Sequence, residues 1–223
     1  DGCAVPSLIS GDLTSARSFI KHAWDLLSTA TADDEEQAAV SIDDARLMIR
    51  ALQIMVACHS GTADDAELIL DYLRTSKDDR RAEIEWIEGS RQEALGYAEL
   101  VGRRNYSKAA HHFNEAGIYL DQWLSHFGIP FSSTSSQSLS GYALLKEHGP
   151  TLEVRSQISD GLIRTIDLGV VCHEVRARLC QARYYSQLEN FNMAEYHIQR
   201  TQDLIQRHNL HSWYVLLNRI IAP

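Results

Sequence analysis

Ten histidines and four cysteines in 223 residues make metal ligation the first chemistry to look for. His111 and His112 are adjacent, so on a helix their side chains diverge by about 100° and cannot easily share one tetrahedral ion. His173-Glu174 opens like the zinc-helix pattern HExxH, but position 177 is alanine and the second histidine is missing. Cys58-His59 and Cys172-His173 are neighbouring pairs that could hold an ion only if the fold brings further ligands to them. Asp64-Asp65 could be an acid–base or metal pair, although two acids in the first turn of a helix are explained by the helix dipole alone. There is no glycine-rich phosphate loop, no GxSxG elbow and no paired-carboxylate pattern. The expectation is a chain with no catalytic residue, no metal and no cofactor.

Composition narrows the partners. A formal net charge of −9 disfavours a duplex nucleic-acid binder, which needs a basic stripe, and equally an anionic membrane surface. Arg80-Arg81 and Arg103-Arg104 are small basic spots, read as solvated helix ends with an acidic peptide as the alternative. No apolar run approaches the ~18 residues of a membrane span. Cys172 and Cys180 would lie ~12 Å apart on a helix, too far for a disulfide. With no CxxC pair either, the thiols of Cys3, Cys58, Cys172 and Cys180 read as free and the compartment as reducing: intracellular, cytoplasmic or nuclear. The opening Asp-Gly-Cys carries no visible signal peptide and suggests an excerpt of a longer chain.

The elements that would position any site are helical throughout. Ala16, Phe19, Ile20, Ala23, Trp24 and Leu27 keep i, i+3, i+4, i+7 spacing and predict a helix over 13–28, with Asp12 or Ser10 as its cap. An acidic loop over 29–40 separates it from a helix of about 41–59, opened by a Ser41/Asp44 capping box. A long helix is predicted from Asp78 to Val101. Gly89 and Gly96 inside it cost about 1 kcal/mol each against alanine, which a closely packed neighbour would explain. A helix over 106–126 follows. Seven of the ten residues from Ser132 to Gly141 are serine or threonine, so 128–141 reads as a Ser-rich mobile loop, with a short helix at 142–147. Pro150 suits the first turn of a helical run 151–188, broken near Gly161 or Gly169. Asn190-Phe191 turns into a helix ending near His208, and the apolar stretch 213–221 either packs back as a cap or meets another chain.

Four stretches repeat one layout. Ala16-x-x-x-Ile20-x-x-Ala23, Ala66-x-x-x-Leu70-x-x-Leu73, Ala109-x-x-x-Phe113-x-x-Ala116 and Ala194-x-x-x-Ile198-x-x-Thr201 each follow a turn containing Gly, Asp or Asn. Their first alanines are 50, 43 and 85 residues apart, the last being about two repeats. With Asn105-Tyr106 before Ala109, and Ala182 and Tyr185 before Asn190-Phe191, the chain resembles the tetratricopeptide-like family of helix-hairpin repeats. It departs from that family in its longer spacing, its lack of hairpin-closing prolines and its poor match over about 126–165.

The resemblance implies an all-α, right-handed α-solenoid of about nine or ten helices, forming one domain over 1–223. It implies a non-catalytic scaffold whose concave groove, lined by the first helix of each pair, takes a partner peptide or helix. Arg91, Glu93, Arg178, Gln181 and Tyr185 would then face that partner, with 213–221 as a further contact. The alternative is a ligand-sensing array similar to MalT-like regulators.

Overall fold

The computed structural model describes residues 12–30, 42–60, 85–125 and 134–221. Every described element is helical: α1 (Leu13–Ser28), α2 (Ile42–Ser60), α3 (Glu85–Tyr97), α4 (Tyr106–Ser125), α5 (Thr134–His148), α6 (Leu152–Leu168), α7 (Val171–Gln187), α8 (Phe191–His208) and α9 (His211–Ile220). A π-helical turn, Ala98–Arg103, extends α3 and ends where Arg104 turns left-handed at φ 55°. Each helix packs on the next, and α5 also packs on α7. Asp64-Asp65, Arg80-Arg81, Cys3, the acidic stretch 31–40 and the stripe of Ala66, Leu70 and Leu73 lie outside the described residues.

The helix ends follow local chemistry. Asp12 Oδ1 accepts from Ser15 N at 2.9 Å, and hydrogen bonding from the Ser15 side chain and then its backbone holds the carboxyl below the usual carboxylate range. Asn190 and Thr151 cap α8 and α6 in the same way, accepting from Met193 N at 3.3 Å and Val154 N at 3.2 Å. Thr151 is thus the cap, and Pro150 stands one residue before it rather than in the first turn. The run 151–188 breaks at Gly169, whose φ of 69° is the left-handed C-cap; Gly161 sits inside α6.

Burial divides the helices into two kinds. In α4, α6 and α8 it follows one stripe, such as Ala194, His197, Thr201 and Ile205 on α8. In the other kind it is nearly continuous. Ala94 to Leu100, Ser138 to Ala143 and Val175 to Ala182 are buried without interruption on α3, α5 and α7. These three inner helices supply much of the core, together with Leu47, Ile49, Ala51, Leu52, Ile54, Val56 and Cys58 of α2.

Close approach makes this possible. A Cβ on Gly96 would stand 2.7 Å from the Phe113 ring, and one on Gly89 2.7 Å from Leu120 Cγ. The two glycines let α4 lie against bare backbone. Phe113 is fully buried there, edge-on to Tyr97 at 5.4 Å between ring centres.

The expected serine-rich loop is corrected over its described part. Residues 134–148 form α5, with Ser136, Ser138 and Ser140 all buried; 128–133 lie outside the described residues. Serine is little larger than alanine, so α4, α6 and α7 can close on α5 from several sides. Ser140 Oγ returns its hydrogen bond to the Ala110 carbonyl at 3.0 Å, and a Cβ on Gly141 would stand 2.6 Å from Ile158 Cγ1.

Candidate functional site

Polar side chains gather on the inner helices. Glu93 and Tyr97 are one turn apart on α3 and project to one point. Arg176 of α7 meets them there, donating to Glu93 Oε1 at 3.1 Å and to the Tyr97 hydroxyl. Burial alone would pull the Arg176 guanidinium down, but Tyr97 and Glu93 hold it above its ordinary value. Burial pushes the Tyr97 hydroxyl up. One turn back, His173 is pushed down to about 3 by burial and then by Arg176, so it is neutral at pH 7.

The nearby thiols are equally quiet. Burial pushes Cys58 and Cys180 up to about 12 and raises Cys172 as well. Thiol nucleophiles and metal ligands act as thiolates, and these three are protonated and unbridged. Among the described residues, no group of three His, Cys, Asp or Glu side chains is placed to hold a metal ion.

Two further networks tie the hairpins. On α3, Glu88 accepts from Arg91 and from Gln92 at 2.8 Å, and Gln92 Oε1 meets His112 Nδ1 of α4 at 2.7 Å. On α7, Arg178 donates to Glu174 at 2.7 Å and Gln181 to Ser159 of α6 at 2.8 Å. Tyr185 stacks on His197 of α8 at 5.6 Å and 11°. Burial and then Arg178 push His197 down to about 4.

The residues expected to face a partner all belong to these networks. Arg91, Arg178 and Gln181 are 4, 6 and 3% exposed, and Glu93 and Tyr185 are half-buried in the same contacts. Glu93, Gln181 and Tyr185 make contacts to α7, α6 and α8, whereas Arg91 and Arg178 pair with Glu88 and Glu174 on their own helices. Arg91, Arg178 and Gln181 are closed to solvent. The helical register puts them on the first helix of each pair; it does not say whether that helix is covered. Arg176 and Tyr97 were missed. The available signal was an arginine inside the run Val175–Cys180, where an isolated charge must find a partner. Of the stripe residues, Ala16, Ile20, Ala109, Phe113, Ala116 and Ala194 are buried, while Ala23 and Ile198 are half-buried.

Surface openings lie elsewhere. A groove of about 220 Å3 runs between α7, α8 and α9, floored by Leu179, Ala182, Ala194 and Ile198, with Arg183 and Glu195 among its polar lining. Phe191, which helps line it, is 67% exposed. A second depression of about 130 Å3 lies by Gly117 and Ile118 of α4, where Arg164 of α6 faces Asp121 at 3.9 Å.

The 213–221 stretch packs back on the protein. Helix α9 lies against α2, α7 and α8, burying Trp213, Leu217 and Ile221. Among the described residues, no helix is long and apolar enough to cross a membrane. No protein-family model, no curated protein and no solved structure matches the chain.

Proposed function

We propose that this chain is a non-catalytic protein-interaction scaffold, a tetratricopeptide-like right-handed superhelix that binds a helix or peptide of another protein. The observation that carries this reading is the groove between α7, α8 and α9. It pairs an apolar floor with a few polar groups and an exposed aromatic, Phe191, which is the composition of an anchoring pocket for a large side chain. Sequential packing of amphipathic helices onto a buried inner set also supports it, because such an array presents a long, rigid outer surface. The alternative reading, a MalT-like sensor for a small ligand, is less well suited to this groove. Drug-sized ligands occupy pockets of roughly 300–1,000 Å3, and the groove is smaller.

The test places a photo-crosslinking amino acid at Phe191 and, as control, at Leu152, which is 80% exposed on α6. Crosslinking in the native source should join a specific protein at 191 and not at 152. Phe191→Asp should reduce co-purification of that protein at least tenfold without changing the far-UV spectrum. Equal capture by wild type and Phe191→Asp would contradict the groove as the binding site.

A further inference from the structure

Helix α9 differs from its neighbours in how it is held. It has ten residues, below the roughly 12–15 at which an isolated helix becomes even marginally stable in water, and no side chain caps its start at Leu210. One face carries Trp213, Leu217 and Ile221 at i, i+4 and i+8, each at most 5% exposed. The opposite face, with Val215 54% exposed, is open. Two polar contacts fix the two ends. Trp213 Nε1 donates to the Cys172 carbonyl at the start of α7, at 3.1 Å. Arg183, three turns along α7, donates through Nε to the Ile221 carbonyl at 2.9 Å and lies 3.5 Å from Asn218 Oδ1. A cation on the last carbonyl of a helix is the favourable end for its dipole. Beside α9, the groove lined by Tyr214 and Asn218 leaves about 220 Å3 unfilled.

This is how a helix is received by a groove: apolar anchors at helical spacing, a carbonyl to take an indole N–H, and a cation at the C-terminal carbonyl. We propose that α9 is a self-ligand, occupying a seat on α2 and α7 that also fits a foreign amphipathic helix with tryptophan and two branched aliphatic residues at i, i+4 and i+8. Binding such a helix displaces α9. Tethering sets the threshold: a short linker gives α9 a local concentration on the order of millimolar, so only a helix that outcompetes it gains entry. The proposal rests on the scaffold reading for the existence of a partner, but the seat can be tested without one.

The probe is a labelled peptide of residues 209–221, titrated by fluorescence anisotropy against the full chain and against Trp213→Ser/Leu217→Ser, in which the seat is kept and its occupant weakened. Binding to the double variant should be at least tenfold tighter than to wild type. A peptide with the same two serines should not bind. The variant's helical circular dichroism shows whether it remains folded. Should it unfold, hydrogen exchange on the wild-type chain decides: amides of 213–220 should exchange at least tenfold faster than those of 175–184. A folded variant that ignores the peptide, or α9 amides as protected as those of α7, would overturn the proposal. Neither result would touch crosslinking at Phe191.

Discussion

Helices α7 and α8 are sequence neighbours of nearly equal length, 17 and 18 residues, packed against each other as one hairpin, yet their burial differs completely. On α8 one stripe is covered and the rest meets water. On α7 eight successive residues are covered, two arginines and a glutamine among them. The same contrast separates α4 from α3 and α6 from α5. An outer helix needs only one covered stripe, and the polar residues outside that stripe stay solvated. His197 and Thr201 on α8 and Thr165 on α6 are polar residues that sit in the stripe itself. An inner helix has no solvated side, so each polar residue it carries must find a partner inside the protein or remain unsatisfied. That is why Arg176 reaches across to Glu93 and Tyr97, 83 and 79 positions away, while at the surface Arg200 and Asp203 pair within one turn of their own helix.

The sharpest way to break the contrast is to strip an inner polar residue of its partner. Arg176→Ala leaves half-buried Glu93 and buried Tyr97 without their cation and should lower unfolding free energy by about 3 kcal/mol in urea denaturation. Adding Glu93→Leu to an Arg176→Met background should restore much of the loss, because no charge is then left alone. A uniform drop with every substitution would mean that the arginine matters only for its bulk.

Gly96→Ala probes the seam between an inner and an outer helix. The new methyl group would stand 2.7 Å from the Phe113 ring, so overpacking of about 1–3 kcal/mol should outweigh the ~1 kcal/mol gain in helix propensity. A rise in melting temperature would show that α3 and α4 are not that close.

Acid should act through the neutral histidines. His173 and His197 have folded-state values near 3 and 4, against an ordinary value of about 6.5. Below that value the unfolded chain binds protons that the folded chain refuses, so their contribution is intact above about pH 6.5 and is lost as pH falls toward 4. The loss is at most about 1.4 kcal/mol per histidine per pH unit. Melting temperature should fall from pH 7 to pH 4.5, and less steeply in His173→Gln if that variant folds. A flat profile would mean that both rings are protonated in the folded state.

The smallest effect belongs to the outer surface. Leu152→Gln, at a side chain 80% exposed, should change stability by no more than about 0.5 kcal/mol.

How much was legible in the sequence follows the same division. Outer helices announce themselves: α1, α4 and α8 were readable to within a residue or two because one apolar stripe repeats along each. The close packing over Gly89 and Gly96 was readable too, since two glycines inside a helix imply an approaching backbone. Inner helices carry no periodic contrast. Helix α5 has serine where a core helix usually has leucine, and that composition is shared by disordered linkers, so the sequence reading made it a loop. Arg91, Arg178 and Gln181 were assigned to a groove because a one-dimensional register cannot show that a third helix covers them. Arg176 and Tyr97 owe their pairing to a contact between distant segments that local spacing does not encode.

Native-state hydrogen exchange on α5 tests the inner-helix claim most directly. If α5 belongs to the buried set, the amides of 139–145 will exchange only through global unfolding, with the same protection free energy as 175–182 of α7. Exchange of 139–145 at rates within tenfold of an unstructured peptide would contradict it and return the serine-rich stretch to a loop.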